Sequence, residues 1–165
     1  MPGKRMSDLI DFEFEEVPLA KTSDDYYTPK WIFEALGLEF DLDVSSPVGG
    51  ISWIPAKRYF TQYDDGLAQD WNGQRVWMNP PYSNPSKWVA KWLENANGVC
   101  LVPMSKSKWF EVLWENCGGI VAMPANLKFV NGQSEKASIF MPVVLASIGD
   151  ENVAALKSSG IGFMR

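Results

Sequence analysis

Four consecutive residues, Asn79, Pro80, Pro81 and Tyr82, follow the apolar run Val76-Trp77-Met78 and combine an amide, two imides and a flat ring. Proline fixes φ and carries no N–H, and Pro81 also biases Pro80 towards an extended backbone. The loop is therefore stiff, and a helix beginning there cannot consume the Pro80 carbonyl. The Asn79 side chain supplies a second carbonyl acceptor next to it. Two acceptors held close together suit an –NH₂ group with its two donors, and Tyr82 can lay its ring against a flat heterocycle. The nitrogen of such an amine, or of an amide, is a poor nucleophile because its lone pair is delocalised. Acceptors that bind both hydrogens favour a pyramidal nitrogen and return the lone pair to it, which stabilises the transition state rather than the ground state. An electrophile held in line completes the geometry.

The rest of the composition leaves room for such chemistry and for little else. The chain of 165 residues has no histidine and two cysteines, Cys100 and Cys117, outside any metal-ligand spacing. Zinc sites and Ser–His or Cys–His catalysis are not expected, and no metal is assigned. Both cysteines read as reduced thiols of a cytoplasmic protein. No secretory segment or bilayer-length apolar run is present. The net charge is −5, and it is unevenly spread. Residues 1–25 carry three Lys/Arg against seven Asp/Glu, whereas residues 71–140 carry seven against four. Residues 1–23 are expected to form a flexible acidic leader, and 24–165 a single domain with one core.

The elements that must position the tetrapeptide follow from pattern. "YTPKWIFEALG" reads as a helix, with Thr28 as cap, Pro29 in the first turn and Gly37 as the stop. "LEFDLDV" alternates apolar and acidic residues as a half-buried strand does. "SSPVGG" reads as a turn, and residues 51–74 as irregular with a short strand near Tyr59 and Phe60. "RVWMN" is a strand, "NPSKWVAKWLENANG" a helix from the Asn84 cap to Gly98, and "VCLVP" a buried strand. A second helix, "KSKWFEVLWENCGG", leads to a further strand, "IVAMP". This strand–helix–strand–helix–strand order predicts an α/β fold with a parallel sheet. "LKFV" and "ASIFMPVVLASI" read as an antiparallel hairpin, with Pro142 marking an edge or bulge. A short helix is expected over 150–158. Trp88, Trp92, Trp109 and Trp114, at helical spacing, are expected in the core.

In open α/β sheets ligands bind beyond the carboxyl ends of the strands, where Asn79 stands. With "YYTPKWIFEALG", "FDLDVSS", "DDGLAQDW", "NPPYSNPSKWVAKWLE", "LVPMSKSKWF" and "LKFV", the chain from about residue 25 to about residue 149 resembles the phage-type DNA N6-adenine methyltransferase (Dam) family. That resemblance implies a Rossmann-like class I methyltransferase sheet, mostly parallel with a C-terminal antiparallel hairpin. It also implies S-adenosylmethionine as cofactor and double-stranded DNA as partner, with the target adenine flipped out. Phage or prophage origin and a bacterial cytoplasm are implied with it.

Carried over residue by residue, Asn79 and the Pro80 carbonyl accept from the target amine, Pro81 stiffens the loop and Tyr82 stacks on the base. Tyr27, Thr28 and Pro29 line the methionine end of the cofactor. Asp43 resembles the acid of the first cofactor motif, with Ser45 beside it. Asp65, 14 residues before Asn79, resembles the acceptor for the adenine amine of the cofactor, with Asp64 as its competitor. Lys106, Lys108 and Lys128 are the DNA-contacting candidates. No G-x-G follows Asp43, and only 36 residues separate it from Asn79, so a trimmed sheet is expected. The same acceptor pair suits N4-cytosine, RNA adenine or a protein glutamine, and a non-catalytic binder on a relict of the fold is the alternative of another class. C5-cytosine chemistry is disfavoured because no Pro-Cys nucleophile is present.

Overall fold

The structure, a computed structural model, describes residues 27–124, 128–130, 136–138 and 141–164. The leader expected over 1–23 lies outside the described residues. The chain begins with a helix α1 (Lys30–Leu36), then strands β1 (Phe40–Asp43), β2 (Ala56–Tyr59) and β3 (Val76–Met78). Helix α2 (Ser86–Asn95), strand β4 (Gly98–Pro103), helix α3 (Lys108–Asn116) and strand β5 (Gly119–Ala122) follow. Strands β6 (Lys128–Val130), β7 (Lys136–Ser138) and β8 (Val143–Ile148), helix α4 (Asp150–Ser158) and strand β9 (Phe163–Met164) complete it.

Seven strands form one sheet in the order β2-β1-β3-β4-β8-β5-β9. The pairs β2/β1, β1/β3 and β3/β4 are parallel, while β8 runs antiparallel between β4 and β5, and β9 antiparallel on β5. The sheet is trimmed as expected: the chain passes from β1 to its parallel neighbour β2 through residues 44–55 without a helix. That loop starts at the carboxyl end of β1, where a ligand would bind, and runs back to its amino end, where the Phe40 N–H donates to the Pro55 carbonyl at 2.8 Å.

Alternation along the strands builds two cores. Trp77, Val99, Leu101, Val121 and Leu145 pack with Ile32, Phe33 and Leu36 of α1 and Leu156 of α4. Val76, Met78, Cys100, Val102, Val144 and Ala146 pack with Val89 and Trp92 of α2 and Leu113 of α3. Helices thus cover both faces, as a mostly parallel sheet requires. Trp77 is fully buried, edge-on to Phe33 at 4.6 Å and to Phe40 at 5.8 Å. Burying a side chain of this kind stabilises the fold by roughly 1.5–3 kcal/mol, so the residues just before Asn79 are firmly held.

Several local expectations are corrected. Pro29 and Pro85, not Thr28 and Asn84, occupy the N-cap positions of α1 and α2, and neither helix has a side-chain cap. Helix α2 ends at Asn95 with Ala96 left-handed (φ 57°), so Gly98 is not its stop but the first residue of β4. Gly98 serves close approach: a Cβ there would lie 2.2 Å from the Val76 carbonyl oxygen. The antiparallel hairpin is β6 with β7, a separate two-stranded sheet. The segment read as its second strand divides at Pro142, and β8 then enters the middle of the main sheet rather than an edge or bulge. Pro142 has no N–H to give, but its carbonyl accepts from the Met104 N–H at 2.9 Å. Trp92 is buried as expected, whereas Trp114 is 50% exposed and Trp88 half-buried.

Among the described residues no helix is long and apolar enough to cross a membrane, and no group of three or more His, Cys, Asp or Glu could hold a metal ion. Cys100 and Cys117 are free thiols, and burial pushes both pKa values up.

Candidate active site

Parallel pairing brings the ends of β1 and β3 side by side, with Asp43 opposite Trp77. The Val44 N–H donates to the Trp77 carbonyl at 3.2 Å and tightens this edge. Beyond these ends lies a cavity of about 660 Å³, within the usual range of small-molecule sites, about 300–1,000 Å³. Tyr27, Thr28, Asp43, Ser45, Asp65, Asn79 and Pro81 all line it. A second lobe of about 460 Å³ shares Tyr27, Asp43, Ser46, Ile51 and Ile54 with it. Residues brought together from positions 27 to 81 therefore share one space, seven of the ten sites assigned to catalysis and cofactor among them.

Asp43 is 3% exposed at the end of its strand. Its burial pushes the carboxyl up to about 7, against the opposing effect of the Ser45 backbone N–H, which donates to Oδ1 at 3.3 Å. Asp64 and Asp65 take different parts. The Asp64 carboxylate accepts from the Thr61 backbone N–H (2.8 Å) and hydroxyl (3.1 Å), closing the turn. Asp65, left-handed at φ 53°, faces the cavity at the start of a short 3₁₀ turn, Gly66–Ala68. Asp is one of the few residues that tolerates this conformation. The turn is fixed from behind by the Trp71 indole N–H on the Gly66 carbonyl (2.8 Å) and by Lys91, which donates to the Leu67 carbonyl (2.7 Å).

Asn79 donates from Nδ2 to the Thr28 hydroxyl at 3.4 Å. Thr28 is itself 1% exposed, and its carbonyl accepts from the Trp53 indole N–H at 2.8 Å. In the turn that follows, the Asn84 N–H donates to the Pro81 carbonyl at 3.2 Å, so the turn uses that oxygen and not the one of Pro80. Pro80 is buried, and Pro29 is buried at the start of α1. Neither lines the cavity. Tyr82 differs most from expectation: it is 9% exposed, belongs to the core beside α1, and its hydroxyl donates to the Leu101 carbonyl at 3.4 Å. It does not line the cavity in this conformation.

Among the lysines, Lys106 and Lys108 are exposed after the carboxyl end of β4, and Lys108 pairs with Glu111 at 3.0 Å. Lys128 belongs to β6, with its side chain outside the described residues.

The sequence reasoning missed Trp53, Gly66 and the cavity face of Trp88. Trp88 faces the cavity because it meets Gly66 and stacks on Trp71, with ring centroids 6.2 Å apart. Gly66 is the tightest point: a Cβ there would lie 2.1 Å from the Val44 carbonyl oxygen and 3.1 Å from the Trp88 ring. Gly66→Ala is expected to cost about 1–3 kcal/mol of stability through overpacking, read from urea unfolding. Because Val44 and Trp88 both line the cavity, ligand affinity should fall with it. A glycine just after two acids was the only available signal.

A mostly parallel sheet with one reversed strand inserted before the last parallel one and a short second one at the edge beyond it, helices on both faces and a polar cavity beyond the strand ends is the Rossmann-like methyltransferase fold. The comparisons narrow this. The chain belongs to the DNA N-6-adenine-methyltransferase (Dam) family, whose model matches residues 17–141. A DNA N-6-adenine-methyltransferase of Haemophilus phage HP1 (strain HP1c1) is 31% identical over 118 residues, 65% of this chain. The match spans 66% of that relative's length.

Proposed function

We propose that this protein transfers a methyl group from S-adenosylmethionine to the N6 amine of adenine in double-stranded DNA. The observation that carries this reading is the position of Asn79, on one cavity with Asp43 and Asp65 at the carboxyl edge of the sheet. Family membership supplies the substrate class. The work belongs, on this reading, in the cytoplasm of a bacterial host.

The donor set suits the cofactor. Carboxylates at Asp43 and Asp65 can accept from its amines and hydroxyls, and Ile51, Ile54 and Trp88 offer apolar walls for a flat ring. The bound cofactor supplies a methyl carbon made electrophilic by its sulfonium. The protein's part is to hold the amine. The Asn79 side-chain oxygen, on the cavity, and the Pro80 carbonyl, which the amine must reach beyond the cavity wall, are assigned to bond its two hydrogens and localise its lone pair as it attacks. Tyr82 is assigned to the face of the base, which requires its ring to turn from the core or the base to reach its edge. The target must leave the stack to reach so enclosed a site, at a cost of a few kcal/mol. Lys106, Lys108 and Lys128 are assigned to backbone phosphates, and so few contacts give a modest salt dependence, with log K falling against log[salt] at a slope of about −3.

Incubation with tritiated S-adenosylmethionine and defined duplexes, followed by nucleoside analysis, tests the proposal. Label in N6-methyladenine is expected. Label in N4-methylcytosine alone, or no transfer to any duplex, would reject it.

A further inference from the structure

Asp65 lines the cavity from an exposed, left-handed position (φ 53°) at the start of a three-residue 3₁₀ turn. So short an element on the surface opens easily by itself. A carboxylate presented from it needs support from elsewhere in the fold.

Helix α2 supplies that support. Trp88, Lys91 and Asn95 follow one another at helical spacing on one face, and all three meet the segment from Gly66 to Gln74. The Trp88 ring packs over Gly66, and the Asn95 Nδ2 group donates to the Gln74 carbonyl at 3.0 Å. Between them, the half-buried Lys91 donates to the carbonyls of Leu67 (2.7 Å) and Gln69. The first carbonyl belongs to the 3₁₀ turn and the second to the residue that ends it. The Lys91 ammonium also lies 4.8 Å from the centre of the Trp71 ring. Bonds from a cation are stronger than neutral ones, and the ring face adds to them. Gln69 closes the turn further, its side-chain amide donating to the Asp64 carbonyl at 2.6 Å. We propose that Lys91 is a positioning residue for the cofactor: it clamps the turn 66–69 to α2 and so holds the Asp65 carboxylate at the cavity. The same helix begins four residues after Tyr82, so one rigid element links the two halves of the site. The inference rests on the cofactor reading given above, and it gives a part in binding to a lysine that does not itself line the cavity.

The test compares Lys91→Met, which keeps the stem over Trp71 and removes the donors, with Lys91→Arg, which keeps donors and charge. Affinity for S-adenosylmethionine is measured by calorimetry. Lys91→Met is expected to raise the Kd about tenfold, the low end for lost hydrogen bonds to a charged group. Lys91→Arg should restore most of the affinity. The deciding arm repeats Lys91→Met in an Asp65→Gly background. Glycine keeps the left-handed turn and removes the carboxylate. With no acid left to position, Lys91→Met should add less than about a twofold loss. A lysine with a merely structural role would cost the same in both backgrounds. An equal loss in both, no loss in either, or a loss that Lys91→Arg leaves unrelieved would overturn the proposal.

Amide hydrogen exchange of the ligand-free protein separates this idea from the methyl-transfer reading. The Ala68 N–H, bonded to the Asp65 carbonyl at 2.9 Å, should exchange faster in Lys91→Met than in the native protein and Lys91→Arg, by about tenfold. Faster exchange with weaker cofactor binding, in a protein that methylates no duplex, would uphold the clamp and sink the reaction. Equal exchange in all three proteins would sink the clamp itself.

Discussion

Asn79→Ala is expected to lower methyl-transfer turnover by about 10²–10³-fold, the loss seen when one group that binds a transition state is removed. The reason is chemical rather than structural. Asn79 stands at the end of a strand whose preceding residues, Val76, Trp77 and Met78, are fully buried, and it is only half-buried itself. Trimming its amide removes one acceptor from the amine and leaves the strand in place. Cofactor affinity should therefore stay within about threefold of the native value, giving a loss in kcat without a matching loss in binding. Calorimetry with S-adenosylmethionine and a rapid-quench transfer assay check the two halves. A variant that transfers methyl groups at the native rate would remove Asn79 from the mechanism.

The second large effect belongs to Asp43, and it has two parts of opposite sign. Burial raises its pKa from 3.8 to about 7 in the folded state. Between those values the native protein holds a proton that the unfolded chain has released, so stability falls as pH rises through that window. Below 3.8 the contribution is fully present, and above about 7 it has been lost. Asp43→Asn cannot ionise. Its unfolding free energy should lack this slope, and at about pH 8 it should be more stable than the native protein. Chemical denaturation at a series of pH values reads this directly.

Cofactor binding should go the other way. Donors from the cofactor favour the ionised carboxylate, so affinity in the native protein should rise across the same window, with proton release on binding. Asp43→Asn should weaken binding by about 10–100-fold, the range for a buried hydrogen bond to a charged group. Titrations in two buffers of different ionisation enthalpy measure the proton. Equal affinity in native protein and variant would show that Asp43 does not touch the cofactor.

The sequence was informative where structure is set locally. Continuous apolar runs at Val99–Pro103 and alternating burial demands on α2 and α3 are short-range signals, and the elements formed where expected. The same holds for Asn79, whose position after a strand and before two prolines is a matter of neighbours in the chain. Long-range features were harder to read. Nothing near Pro142 says that the strand after it will slip between β4 and β5, because that placement depends on partners about 20–50 residues earlier in the chain. Nothing near Trp53 announces a bond to Thr28, 25 residues away. Tyr82 is a different case. Its neighbours suggested a ring set to lie against a flat heterocycle, and the short turn after Asn79 leads it back against Leu101, where burial of an aromatic side chain is favourable.

Asp43 shows the limit of pattern in a different way. Alternation in Phe40–Val44 placed the acids together on the outer side, yet Asp43 is buried while Asp41 is half-buried and paired with Lys57 at 2.9 Å. The difference is the loop 44–55, which folds back over the end of β1 and closes the cavity around it. Loops of this kind have no period, and their placement follows from hydrogen bonds such as Ser46 N–H to the Phe60 carbonyl at 2.8 Å.

The most direct measurement is a crystal structure of the protein with a non-reactive cofactor analogue and a duplex carrying its target adenine. The account predicts the base outside the helix, its N6 nitrogen within about 3.2 Å of both the Asn79 Oδ1 and the Pro80 carbonyl oxygen. An N6 nitrogen held by other groups, with Asn79 bound to the cofactor or turned away, would contradict it.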